Sequence, residues 1–261
     1  MRPEYKNRGI YILPNLFTTA NLFCGFYAIV AAFNADYITA SMVVLIAMVF
    51  DTLDGKVARL THSMSKFGAE YDSLADMVSF GVAPGVLIYL WALNGYGKLG
   101  WLAVFLFVVC GAMRLARFNV QSATVESKYF VGLPIPAAAG AIVTTIIFDH
   151  HILEMGKEVR PLVILVLTYF LAYLMVSGIR YRSMKEFNLR ERKPFSFLVG
   201  AVLVLLVFVA EPQIMLFLFF LLYTLSGMVE EFGAPLVKRL WTPRKAAVKP
   251  GPNQDSQIRG N

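Results

Sequence analysis

The chain has 261 residues, 57% of them hydrophobic, with a mean hydropathy of +0.61. This excludes an ordinary soluble domain and predicts an all-α fold, a polytopic transmembrane helical bundle, because helices satisfy their own backbone groups in hydrocarbon. The net charge of +7 and pI near 9.4 come without an aromatic-studded basic module, so they are read as membrane topology and attraction to anionic lipid headgroups, with no nucleic acid as partner.

In chain order, MRPEYKNRGIYILPNLF opens with a basic stretch, but the apolar run after it is too long for a cleaved signal peptide and predicts a retained first span over 13–33. Asn15, Thr18, Thr19 and Asn21 form a polar streak in that span, available to a nucleotide pocket or to interhelical hydrogen bonds. Further spans are predicted over 38–58, 72–94, 98–118, 134–150, 161–179, 195–210 and 212–230, about eight in all, each near the ~20 residues that cross a ~30 Å core. The last two are divided at Glu211-Pro212, and Gly132, Pro134 and Pro136 shape the start of the fifth. Cys24 and Cys110 both fall within spans and imply no disulfide framework; His62, His150 and His151 lack metal-ligand spacing with cysteine.

Residues 1–236 therefore read as one transmembrane domain. Residues 237–261 are basic and then rich in Pro, Gly and polar residues, and are expected to be a disordered cytoplasmic tail. Of the 24 Lys and Arg, 21 fall on one side of this topology and three, Lys98, Lys157 and Arg160, on the other. The asymmetry predicts both termini facing the cytoplasm, with the protein in the cytoplasmic (inner) membrane.

The most informative run is Asp51 to Asp76, four aspartates at the edges of two apolar segments: DTLDGKVAR, eight residues, then GAEYDSLAD. A carboxylate within a span costs about 2.5–3.5 kcal/mol on insertion scales, so four of them need compensation. Hard divalent cations, which take carboxylate oxygen ligands, supply it. Asp51 and Asp54 are three apart and Asp72 and Asp76 four apart, so on helices each pair shares a face, and an antiparallel hairpin brings the faces together. Gly55 and Ala58 leave room beside the first pair, and Arg59 adds a fixed cation. The alternatives are an ion-paired hairpin without chemistry and an ion transporter, the latter requiring acidic residues spread through the bilayer midplane.

The order D-x-x-D-G-x-x-A-R, eight residues, G-x-x-x-D-x-x-x-D resembles the signature of the CDP-alcohol phosphatidyltransferase family, matched by Asp51, Asp54, Gly55, Ala58, Arg59, Gly68, Asp72 and Asp76. The resemblance implies a divalent cation, Mg²⁺ or Mn²⁺ and two per site, on Asp51, Asp54 and Asp72. Asp76 would be the general base with a share in the second metal. It also implies that Gly55, Ala58, Arg59, Lys66 and Gly68 serve nucleotide and phosphate of CDP-diacylglycerol, that CMP is released, and that the protein forms a homodimer.

PNLFTTANLFCG (14–25), SMSKFGAEYDSLADMVSFGVAPG (63–85), GAMRLARFNV (111–120) and YFVGLPIPAAAG (129–140) further resemble the integral-membrane branch whose acceptor is L-serine. The paired H-x-K motifs of the phospholipase-D-like type are missing. A zwitterionic acceptor needs a cation for its carboxylate, and Arg114, Arg117 and Arg180 are the candidates, unless they only set topology. Glycerol 3-phosphate or inositol phosphate is the alternative acceptor.

Overall fold

The computed structural model describes residues 12–61, 63–122, 129–153, 159–182, 206, 208–229 and 231. Within them the chain is helical apart from one short ribbon. Helix α1 (Ile12–Phe33) and α2 (Tyr37–Leu60) form an antiparallel hairpin. The hairpin turns at Ala35, whose φ of 59° allows the Asp36 and Ala35 amides to reach back to Ala31 and Ala32 carbonyls. Asp36 then caps α2 by accepting from the Thr39 amide at 3.1 Å.

Ser65 caps α3 (Lys66–Asp76) by accepting from the Gly68 amide at 2.9 Å, so the helix starts six residues before the predicted span at 72. The sequence places the connector at 59–71; the cap shortens it to 61–65. After Asp76 the ladder widens into a π-helical turn (Met77–Val82), in which the Ala83 amide bonds the Val78 carbonyl five residues back. Pro84, which has no N–H to donate, follows at the start of α4 (Ala83–Ile88). A second π turn (Tyr89–Leu93) and one 3₁₀ turn (Asn94–Tyr96) lead to Gly97, whose φ of +51° reverses the chain into α5 (Gly97–Ser122).

Helix α6 (Ile135–Phe148) is the axis of the bundle: every residue from Ala137 to Ile147 is buried, as expected of a helix apolar on all sides. It packs against α2 and α8 (Pro212–Met228) and touches α4, α5 and α7 (Val159–Val176). Among the described residues, four helical segments are long and apolar enough to cross a membrane, Ile12–Phe33, Tyr37–Leu60, Lys66–Val120 and Ile135–Ile152; the third bends back at Gly97, and Pro161–Val176 and Pro212–Met228 are shorter apolar helices. Their outer faces carry exposed Phe23, Phe26, Phe105 and Leu222, as an integral membrane protein requires. Of the predicted span 195–210, only Leu206 and Phe208–Ala210 are described, all helical; the tail 237–261 lies outside the described residues.

Periodicity did not foresee a two-stranded antiparallel ribbon, β1 (Tyr129–Val131) with β2 (Arg180–Arg182), pairing Phe130 with Tyr181. It continues as a bond from the Gly132 amide to the Ile179 carbonyl at 2.8 Å. Gly132 has φ of +82°, and a side chain there would run into the Met175 carbonyl, so this glycine joins ribbon to bundle. Cys24 and Cys110 are buried free thiols, as expected.

The joint between α1 and the first π turn is tight: a Cβ on Gly25 would lie 2.7 Å from Ser79 Cα. Gly25→Ala is expected to cost about 1–3 kcal/mol by overpacking, read as a lower thermal midpoint in detergent; an unchanged midpoint would show that the joint yields.

Candidate active site

The α2 and α3 ends bring the four aspartates together. Asp51, Asp72 and Asp76 each offer a carboxylate oxygen, and the three oxygens lie within 4.8 Å of one another. Asp54 adjoins this triad, close enough for its charge to act on Asp51 and Asp72. Asp54 and Asp76 are 4% and 8% exposed, so water screens them little.

The cluster is also supported from α1. Thr18 Oγ1 donates to Asp54 Oδ2 at 3.0 Å, and Asn21 Nδ2 donates to Asp76 Oδ1 at 3.1 Å. Both donors are neutral, and Asp72 Oδ1 is buried with no hydrogen-bond partner. Convergent carboxylates, neutral supporting donors and an orphaned carboxylate oxygen fit a hard divalent cation.

Asp51 lies nine residues before the end of α2 at Leu60, about 14 Å along a helix, so the cluster sits inside one end of the bundle. Beside it is a cavity of about 230 Å³. Asp54, Asp72, Gly55, Ala58, Arg59 and Gly68 line it, and Pro14, Asn15 and Thr18 close it from α1. A Cβ on Gly55 would meet only Arg59 Nη2, at 3.9 Å, so the space over Gly55 belongs to the cavity. Gly68 instead allows close approach: a Cβ there would lie 3.1 Å from Ser65 Oγ and 3.4 Å from Asn15 Oδ1. Lys66, the first residue of α3, is not among the lining residues.

The three arginines separate. Arg114, on α5, is 7% exposed, its guanidinium carbon 5.6 Å from the Phe118 ring centroid. Its Nε is buried without a partner, and Asp76 and Tyr223 are the ionisable groups close enough to act on its charge. Arg117 is engaged elsewhere: Nη1 donates to the Val176 carbonyl at 3.2 Å, closing the end of α7. Arg180 stands on β2 opposite Val131, and its side chain lies outside the described residues.

The partners of Thr18 and Asn21 are what sequence reasoning left open. Their three-residue spacing on α1, putting both on one face, is the signal that points to them. Ser79, which donates to the Asn21 carbonyl at 2.9 Å, carries no such signal, because the π turn that presents it is not visible in the periodicity.

Residues 11–225 match the profile of CDP-alcohol phosphatidyltransferases. The CDP-diacylglycerol--serine O-phosphatidyltransferase of Helicobacter pylori (strain ATCC 700392 / 26695) is 39% identical over 242 residues, covering 91% of this chain and 98% of that protein. The enzyme of the same name from Bacillus subtilis (strain 168) is 33% identical over 174 residues, 67% of this chain and 92% of that one. The archaetidylserine synthase of Methanothermobacter thermautotrophicus is 36% identical over 183 residues, 69% of this chain and 74% of its own. With the full aspartate motif gathered at one end of α2 and α3 and a profile match over most of its length, the chain belongs to the CDP-alcohol phosphatidyltransferase family.

Proposed function

We propose that this membrane enzyme transfers the phosphatidyl group of CDP-diacylglycerol to L-serine, giving phosphatidylserine and CMP. The observation that carries the reading is the convergence of Asp51, Asp72 and Asp76 beside a cavity floored by Gly55, Ala58 and Arg59. The acceptor is supported by the names of the relatives, three of which act on serine or make a serine lipid.

The cytidine and phosphates occupy the cavity, where Gly55 and Ala58 admit the base and Arg59 meets phosphate; Gly68 keeps α3 close to α1, and Lys66 reaches phosphate from the rim. Asp51, Asp54, Asp72 and Asp76 hold Mg²⁺ or Mn²⁺, two ions per site, which when bound neutralise charge on the diphosphate. Asp76 takes the serine hydroxyl proton as the oxygen bonds to the phosphatidyl phosphorus. The bond from that phosphorus to the CMP oxygen breaks, and CMP leaves. Arg114, buried close to Asp76 with an orphaned Nε, receives the serine carboxylate. Arg117 and Arg180 are the further candidates, Arg117 with one nitrogen already committed to Val176. Phosphatidylserine stays in the bilayer, and CMP departs to the cytosol.

The finer topology we propose has eight spans, both termini and the aspartate cluster on the cytoplasmic side of the inner membrane, and a homodimeric assembly. Single cysteines at Lys66 and Arg190 should be labelled by an impermeant thiol reagent from the cytoplasmic side, and one at Lys98 from the other; labelling of Lys66 and Lys98 from the same side would overturn the orientation.

Ion transport is the weaker reading. Among the described residues, the cluster stands at one end of α2 and α3, while Asp36 and Asp149 stand at the far ends of α2 and α6, with no acidic residue between to bridge the midplane. The purified protein, given CDP-diacylglycerol and a panel of L-serine, glycerol 3-phosphate and inositol phosphate, is expected to release CMP with serine. Release with only a phosphorylated acceptor would replace serine, and ion flux without CMP release would replace the enzyme.

A further inference from the structure

The proposed base is held from outside the motif that supplies it. Asn21, on α1, is fully buried and gives its Nδ2 to Asp76 Oδ1 at 3.1 Å, while its own Oδ1 is buried with no partner. Its backbone carbonyl accepts from Ser79 Oγ at 2.9 Å, one residue turn beyond Asp76. Asn21 is thus gripped twice by the same segment, through its side chain by Asp76 and through its backbone by Ser79. Gly25, one turn further along α1, makes the grip possible by letting the two backbones meet at Ser79.

We propose that Asn21 is a positioning residue for Asp76: its carboxamide occupies Oδ1 and thereby presents Oδ2 to the acceptor hydroxyl. This rests on the reading of Asp76 as general base. An orphaned amide oxygen in a dry interior is destabilising, so what Asn21 contributes here is its N–H group, the donor to a carboxylate that is itself buried. That N–H fixes the rotation of the carboxylate as well as satisfying it: without this donor nothing from α1 holds Asp76 Oδ1, and the plane of the carboxylate is set by its neighbours in the cluster alone. The amide orientation follows from the charge, since a carboxylate accepts from N–H and repels a carbonyl oxygen.

The test compares wild type, Asn21→Leu and Ser79→Ala as purified full-length proteins, reading kcat, the KM for CDP-diacylglycerol, and the stoichiometry and affinity of Mn²⁺ binding. Asn21→Leu is expected to lower kcat by about 10²-fold, the order of loss for a misplaced reacting group, and Ser79→Ala by about tenfold. Mn²⁺ stoichiometry should stay at the wild-type value, excluding a smaller folded fraction, and the KM for CDP-diacylglycerol should change by less than about threefold. A folded Asn21→Leu protein with kcat within about threefold of wild type, or a loss explained by weaker Mn²⁺ binding, would overturn the proposal. Should that variant fail to fold, Asn21→Ser, which is smaller and cannot reach Asp76, carries the same expectation. If wild type uses a different alcohol in place of serine, the acceptor reading fails, and the same comparison made with that alcohol still decides the role of Asn21.

Discussion

Asp72→Asn is expected to abolish turnover while leaving the protein folded in detergent. The substitution keeps shape and removes a charge whose Oδ1 is buried without a partner beside the carboxylates of Asp51, Asp54 and Asp76. Loss of an outer-shell partner already costs about 10–100-fold in metal affinity or activity, and loss of a ligand should exceed it. Asp51→Ala and Asp54→Ala should behave alike. Asp76→Asn should lose about 10²–10⁴-fold in rate, the share of a general base, yet retain CDP-diacylglycerol binding in the presence of metal. Single-turnover CMP release separates these cases. Near-normal activity of any one variant would remove that residue from the site, and a defect of Asp76→Asn confined to lipid affinity would remove it as base.

The second large effect concerns the acceptor. Arg114→Ala is expected to raise the KM for serine by about 10- to 100-fold, the equivalent of one charge-assisted hydrogen bond, with a much smaller change in the KM for CDP-diacylglycerol. Arg114→Lys should fall between, since it keeps the charge and loses the planar fork. Arg117→Ala should act mainly on stability, because its Nη1 serves the Val176 carbonyl at the end of α7. Equal effects of Arg114→Ala on both substrates would assign Arg114 to structure or to the lipid side, and Arg180 would be the next residue to change.

The aspartate cluster was legible because its pattern is local: three- and four-residue spacings on two consecutive helices fix which side chains share a face, whatever the rest of the bundle does. The membrane helices were legible for the same reason, their length and hydropathy being properties of short windows. What escaped depends on contacts between distant parts of the chain. The early start of α3 needs the Ser65 cap, and the cavity beside the aspartates is closed by Pro14, Asn15 and Thr18, about forty residues away from Asp54. The β1–β2 ribbon pairs segments some fifty residues apart that are too short to show alternation. Arg114 and Arg117 look equivalent in the sequence, three apart on one helix; packing alone sends one guanidinium towards Asp76 and Tyr223 and the other to α7.

The central claim, metal-dependent transfer to serine, is tested most directly by incorporation of radiolabelled L-serine into lipid by the purified protein with CDP-diacylglycerol, with Mg²⁺ or Mn²⁺ and again with EDTA. The expected result is labelled phosphatidylserine with an equal amount of CMP when metal is present, falling to background with EDTA and returning when excess metal is restored. Undiminished incorporation in EDTA, or CMP release without label in the lipid, would contradict it.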